Sequence, residues 1–200
     1  MASAPVIKDV VLLGGGHSHI AVLRAFGLRA VPGARLTLIS RDPRTAYSGM
    51  LPGLIAGHYT AEQALIDLVP LSRFAGARFV QDDVCGIDTG AQTVRLRGGA
   101  PVHYDLLSIN TGSTPATTDI AGATDHVVPV KPISQFLSRW EQLRARIRAR
   151  RGRVRIGVVG AGAGGVELTL AIHHMVGGSP GAPDGLTLEL VTADGEILPG

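Results

Sequence analysis

The apolar positions of this chain fall into short runs set between glycines, and their period changes along the sequence. Residues 6–13, V-I-K-D-V-V-L-L, end in an unbroken apolar stretch that reads as a buried strand. A helix over 18–26 follows, and then R-L-T-L-I-S, a second strand ending at Ser40, so the chain opens with a βαβ unit. The stretch 41–59 is broken by Pro43, Gly49, Pro52 and Gly53 before a short helix near Leu54. After a helix over 68–75 come A-R-F-V-Q, Q-T-V-R-L-R and V-H-Y-D-L-L-S-I-N, three strands expected to make a small antiparallel meander feeding back into the main sheet. A Thr- and Ala-rich connection over 111–124 leads to a helix on which Phe136, Trp140, Leu143 and Ile147 recur at helical spacing. At Arg153 the opening pattern restarts: apolar strand, glycine turn, helix, a Gly/Pro loop over 177–185 and the strand L-T-L-E-L-V-T.

Composition changes this picture little. At 45% hydrophobic and 18% charged, the 200 residues are globular, and the 27 glycines and 12 prolines are not gathered into one low-complexity block. The balance of 19 basic against 16 acidic side chains is no nucleic-acid signature. The local block R-A-R-I-R-A-R-R-G-R, residues 144–153, reads as the wet face of the amphipathic helix in preference to a contact for phosphate backbones or an anionic membrane. A single cysteine, Cys85, excludes a disulfide or a Cys-x-x-Cys pair within these residues, so redox chemistry here needs a cofactor. No signal-peptide pattern opens the chain, and no apolar run approaches the roughly 18 residues that span a bilayer. A cytoplasmic location follows by default, with peripheral association at the inner membrane face left open.

The chemistry lies in the two glycine turns, whose first glycines, Gly14 and Gly160, stand 146 residues apart. In a βαβ unit the first turn sits at the carboxyl edge of the sheet, where nucleotides bind. G-A-G-A-G-G fits the dinucleotide fingerprint G-x-G-x-x-G without substitution: Gly160 permits the tight turn, Gly162 lets the backbone approach a pyrophosphate, and Gly165 allows close helix–strand packing. Ala163 and Gly164 lie at the start of the helix, where unpaired N–H groups and the dipole favour phosphate. The first turn, G-G-G-H-S-H, supplies Gly14, Gly15 and Gly16 with the N–H groups of His17 and Ser18, but His19 occupies the third glycine position. We read His19 as a tolerated substitution, which forces a wider helix–strand gap or a rotamer pointing along it. Two fingerprints imply two dinucleotides, and the ordinary reason for two is electron transfer between a held flavin and a diffusible nicotinamide.

Three segments, V-L-L-G-G-G-H-S-H, Y-D-L-L-S-I-N-T-G-S-T-P and G-V-V-G-A-G-A-G-G-V-E-L, together resemble the two-dinucleotide-domain flavoproteins, the pyridine nucleotide-disulfide oxidoreductase superfamily. The middle one is similar to the second flavin motif, an apolar strand ending in Ala-Thr-Gly, with Asn110 in place of the alanine before Thr111 and Gly112. Lack of paired cysteines points toward members resembling type II NADH dehydrogenases; G-G-G-H-S-H and Y-S-G-M-L-P-G look closest to the module fused ahead of selenide, water dikinase. Sulfide:quinone oxidoreductases are a related possibility, but their chemistry uses several cysteines. The resemblance implies an α/β fold of FAD/NAD(P)-binding Rossmann-like domains with a central parallel sheet and a small antiparallel meander. It implies an FAD-binding domain over 1–125, a connecting segment over 126–152 and the start of an NAD(P)-binding domain over 153–200.

On that basis the expected activity is hydride transfer from NADH or NADPH to FAD, and onward to an unidentified acceptor such as a quinone. The alternative is a non-catalytic nucleotide-binding or redox-sensing module of a fusion protein. Ser40 and Arg41 stand where the family places an acidic ribose contact, with Thr192 at the matching place in the second unit, so this residue does not distinguish NADH from NADPH. Val84 is either a backbone contact to the adenine or a core valine. Met50 and Pro52 fall where the family's chain passes the isoalloxazine ring, or else form an ordinary turn entering a helix. Glu167 either approaches the nicotinamide or complements the helix dipole from the first turn; Lys131 leads into the connection between domains. Because the cofactors hold the reactive atoms, no catalytic side chain is expected. Nor is a metal: His17 and His19 do not share a helix face, and the adjacent His173 and His174 fail the same test. Cys85 is expected to be a small buried thiol. The chain stops at E-I-L-P-G, so the resemblance implies that further nicotinamide-domain and C-terminal segments are missing. These residues alone are expected to be inactive, and a homodimer is expected only of the full-length protein.

Overall fold

A computed structural model describes residues 5, 8–114, 120–149, 153–177, 186–193 and 195–198. The expected strand residues Val6 and Ile7, parts of the connection over 111–124, Arg150 and Arg151, and most of the loop over 177–185 lie outside the described residues. From the N-terminus the elements are β1 (Lys8–Leu13), α1 (His17–Leu28), β2 (Ala34–Ser40), β3 (Arg44–Ala46), a 3-10 turn (Ser48–Met50), α2 (Leu51–Ala56), α3 (Ala61–Ala64), β4 (Leu65–Asp67) and α4 (Leu68–Phe74). They continue as β5 (Arg78–Gln81), β6 (Val84–Asp88), β7 (Thr93–Leu96), β8 (Val102–His103), β9 (Leu106–Ile109), α5 (Ala123–His126), α6 (Ile133–Ala149), β10 (Val154–Val159), α7 (Ala163–Gly177) and β11 (Leu186–Val191). The chain divides into two compact units, residues 1–45 with 66–114, and residues 46–65 with 115–200.

The first unit is built on a parallel sheet in the order β5-β2-β1-β9. Its central strands are apolar without alternation because both faces are covered. Leu12, Leu36 and Leu38 pack on one side with Leu23 of α1 and Leu68 of α4, while Val11, Leu13 and Ile39 face the other with Val94 and Tyr104. The antiparallel meander supplying that second layer is β6-β7-β8. Here the structure corrects the sequence reading. A-R-F-V-Q is β5, a parallel member of the main sheet, and the meander takes its place from 84–88. V-H-Y-D-L-L-S-I-N is two strands: the Tyr104 N–H bonds to Gln92 O at the end of the meander, and the next N–H, that of Asp105, bonds to Asp9 O of the main sheet. Cys85 is exposed, not buried, because the β6–β7 register shifts between Val84 and Gly86 and turns the residue between them outward.

At the amino edge of this sheet an ion-pair network ties the three strand starts. Arg35 donates to both carboxylate oxygens of Asp9 at 2.5 and 2.8 Å, the Asp9 N–H donates to Asp105 Oδ2 at 2.6 Å, and Lys8 Nζ donates to Asp105 Oδ1 at 3.2 Å. Asp9, His103 and Asp105 bring donor atoms within 4.8 Å of one another, but both carboxylates are occupied by these bonds. The Arg35 guanidinium holds the Asp9 carboxyl below its ordinary range, and the Asp9 N–H, with Lys8, does the same to Asp105.

In the second unit, β10 and β11 pair in parallel and α7 packs against them. Phe136, Trp140 and Ile147 of α6 join Leu51 and Ile55 of α2 and the buried face of α7 in one core, so the helical spacing of the apolar residues is that of a core-facing stripe. Arg139 and Arg146 are exposed, and Arg144 pairs with Glu141 at 2.6 Å. No helix among the described residues is long and apolar enough to cross a membrane.

Two outcomes follow for stability. Ser72, fully buried in α4, leaves its hydroxyl without a partner; Ser72→Ala should raise the unfolding free energy by about 1 kcal/mol in a urea titration, since an unsatisfied buried hydroxyl is costly. Because Asp9 and Asp105 have depressed folded pKa values, their contribution is present above the unfolded carboxylate range and is lost as pH falls below about 4 through the folded values. Urea midpoints measured between neutral pH and pH 3 should fall, and Asp9→Asn should flatten part of that decline.

Candidate functional site

Each unit carries one strand–turn–helix with the same backbone bonding. In the first, Gly14 takes φ +93°, and its N–H donates to Ile39 O of the neighbouring β2 at 2.8 Å. In the second, Gly160 takes φ +105°, and its N–H donates to Val191 O of β11 at 2.8 Å. Such φ values favour glycine, so the first glycine of each turn is fixed by backbone geometry. Two residues on, the carbonyls of Gly16 and Gly162 start α1 and α7: Gly16 O accepts from His19 and Ile20 N–H, and Gly162 O from Gly165 and Val166 N–H. Neither helix carries an acidic residue in its first turn, and Gly16 makes no side-chain cap.

Among the described residues, the N–H groups of Gly15 and Ser18 in the first turn, and of Gly162, Ala163 and Gly164 in the second, have no hydrogen-bond partner. Side chains added at Gly160, Gly162 or Gly164 would meet nothing within 4 Å, which leaves room against the backbone of the second turn. The third glycine differs: a Cβ at Gly165 would collide with Gly160 O, so helix and turn are in direct contact there.

In the first turn the matching residue is His19, and it is 1% exposed. Its Nδ1 lies 2.7 Å from Gly14 O and its Nε2 2.9 Å from Ser108 Oγ on β9. Around it the turn is filled by protein. The Gly16 N–H donates to Asn110 O at 3.1 Å, side chains at Gly14 and Gly16 would collide with Asn110, and one at Gly15 would lie 2.6 Å from Leu68 Cδ1.

Parallel register brings several of the sequence-selected residues to one edge. Leu13 pairs with Ile39 and with Ile109, so Gly14–Gly16, Ser40 with Arg41, and Asn110–Gly112 all leave the sheet at its carboxyl end. Ser40 Oγ already donates to Asp42 O at 2.9 Å, leaving that oxygen to accept, and Arg41 is half-exposed with Asp42 at 3.5 Å. Val84 starts β6 and packs against the second face of the sheet, in keeping with the core-valine alternative. Met50 closes the 3-10 turn, and Pro52 lies in the first turn of α2; both belong to the second unit. Glu167 is exposed, but α7 starts at Ala163 and has no acidic residue in its first turn, so Glu167 is not the first-turn carboxylate. The rings of His174 and His58 lie 5.0 Å apart, tilted at 46° to each other, and His173 is exposed. Sequence reasoning missed the bridge through His19; the available signal was the alternation of Ser108 and Asn110, two polar residues on one side of an otherwise apolar strand.

Residues 8–182 match the family described as pyridine nucleotide-disulphide oxidoreductase. A sulfide-quinone reductase of Aquifex aeolicus is 35% identical over 106 residues, 52% of this chain and 24% of that protein. A demethylphylloquinone reductase, NdbB, of Synechocystis is 23% identical over 175 residues, 84% of this chain and 43% of that protein. The solved sulfide:quinone oxidoreductase of Aquifex aeolicus superposes with a TM-score of 0.72 at 26% identity, over 93% of this chain and 43% of its own. The chain thus spans less than half the length of these relatives.

The contrast between Gly162 and Gly165 is measurable. Gly165→Ala should lower the unfolding free energy by about 1–3 kcal/mol, the usual cost of forcing an atom into a filled contact, and Gly162→Ala, which meets open space, by less than about 1 kcal/mol. Urea midpoints of the two variants against the parent protein check this.

Proposed function

The chain belongs to the pyridine nucleotide-disulphide oxidoreductase family, and on that premise we propose that it is the nucleotide-binding portion of a flavoprotein that passes hydride from NADH or NADPH to FAD and electrons on to a quinone-class acceptor. The observation that carries the reading is the repeated turn: two strand–turn–helix units with the same glycine geometry and with unbonded N–H groups at both helix starts.

In this reading the first turn takes FAD. Gly14, Gly15, Gly16, His17 and Ser18 receive its pyrophosphate, Ser40 and Arg41 its ribose end, Val84 its adenine through the backbone, and Thr111 and Gly112 its far side. The second turn takes the nicotinamide nucleotide through Gly160, Gly162, Ala163, Gly164 and Gly165, with Glu167 toward the nicotinamide. When bound, the two cofactors supply the hydride chemistry between themselves. The chain's own work is to bind and orient: open N–H groups and helix dipoles neutralise each pyrophosphate, and at the second turn Gly160, Gly162 and Gly164 leave room for it against the backbone. The quinone assignment draws support from the two curated relatives, both reductases of quinones by name. Cys85 is the single cysteine of these residues, so the electron route proposed needs no thiol pair. Quinones dissolve in lipid, which favours a cytoplasmic protein working peripherally at the membrane face.

Purified full-length protein should be yellow, and anaerobic NADH or NADPH should bleach its visible absorbance, with colour returning on addition of a soluble quinone. Flavin that neither nucleotide reduces would leave a nucleotide-binding module without this activity, and absence of flavin would remove the premise for the first turn.

A further inference from the structure

The two turns share the first two glycines of the fingerprint, and at the third position one has Gly165 where the other has His19. Gly165 rests directly against Gly160 O, with no space for a Cβ. Residue 19, at the matching place, carries a side chain, so the bare glycine-to-carbonyl contact of the second turn is not repeated there. Instead the ring of His19 spans the gap to Gly14 O at 2.7 Å and continues to Ser108 Oγ at 2.9 Å. A carbonyl has no hydrogen to give, so Nδ1 carries a proton and donates to Gly14 O, while Nε2 lies within hydrogen-bond distance of the Ser108 hydroxyl. Burial at 1% exposure leaves no water to replace either bond.

We propose that His19 is a positioning residue that takes over the task of the missing third glycine: its imidazole clamps the Gly14 carbonyl and, through Ser108, ties the first turn to β9. This rests on the reading of that turn as the FAD pyrophosphate site. Gly14 is held at both ends, its N–H by Ile39 O and its carbonyl by His19, and that fixes the peptide whose neighbour Gly15 keeps an unbonded N–H. Asn110, two residues beyond Ser108 on the same side of the strand, closes the arrangement by accepting the Gly16 N–H. His19 is thus a bonded part of the site and not a tolerated substitution. Restoring glycine would remove the clamp.

The two bonds separate by substitution, because an asparagine amide falls near the place of Nδ1 and a glutamine amide near that of Nε2. In the full-length protein, His19→Asn keeps the donor to Gly14 O, and His19→Gln keeps only the link toward Ser108. FAD dissociation constants, measured on apoprotein by recovery of flavin absorbance, should rise roughly tenfold in His19→Gln and His19→Gly, the scale of one lost buried hydrogen bond, while His19→Asn stays within about threefold of the parent. Thermal unfolding of the same apoproteins is the control: a merely structural role would lower Asn and Gln variants alike and give no difference in FAD affinity between them. Equal affinity in the Asn and Gln variants, or parental affinity in Gln and Gly, overturns the proposal while leaving the flavin reading intact. Failure of the parent to take up FAD overturns both. If His19→Gly does not fold, the Asn and Gln pair decides alone.

Discussion

The arrangement depends on one backbone hydrogen bond made twice: the N–H of the first turn glycine to a carbonyl at the end of the next parallel strand. Gly14 gives its proton to Ile39 O and Gly160 to Val191 O. The bond is available only while the chain adopts a positive φ at that point, which a side chain would resist. With the glycine so placed, the chain leaves the sheet and enters a helix within three residues, and the first-turn N–H groups collect at the carboxyl edge. Backbone donors and a helix dipole favour phosphate whichever side chains surround them.

The remaining structure of the first unit holds that edge still. Its central strands are covered on both faces, so residues 10–13 of β1 form an unbroken apolar run and Leu36, Leu38 and Ile39 of β2 are buried, which leaves their register no cheap alternative. Ion pairs at the opposite edge fix the strand starts, and β9 supplies, at its end, the partners that reach back to the turn: Ser108 for the His19 ring and the Asn110 carbonyl for Gly16. The second unit reaches the same turn geometry by simpler means, with Gly165 in contact where the first unit needs a bonded side chain.

What the sequence displayed best was the repeated pattern of apolar run, glycines and helix, because those requirements are local and depend on few residue types. Less legible was anything decided by a neighbour distant in the chain. A-R-F-V-Q has the residues of a strand, but nothing in its five letters says whether its partner runs parallel or antiparallel; β2 decides that. The change of sheet between Tyr104 and Asp105 leaves an unbroken strand-like sequence because both halves are extended and bonded. Cys85 was misplaced because one register shift in β6 reverses which side faces out. His19 was misjudged for a related reason: its partners Gly14 and Ser108 lie 5 and 89 residues away, and only the fold makes a bridge of the three.

The central claim is that the chain builds two separate dinucleotide turns from one repeated geometry. Backbone amide chemical shifts of the full-length protein, recorded with FAD alone and then with NADH added, test this most directly. The account predicts that FAD moves the amides of residues 14–18 and leaves 160–165 in place, and that NADH then moves 160–165. A single nucleotide shifting both sets, or NADH leaving the second set unmoved, would contradict it.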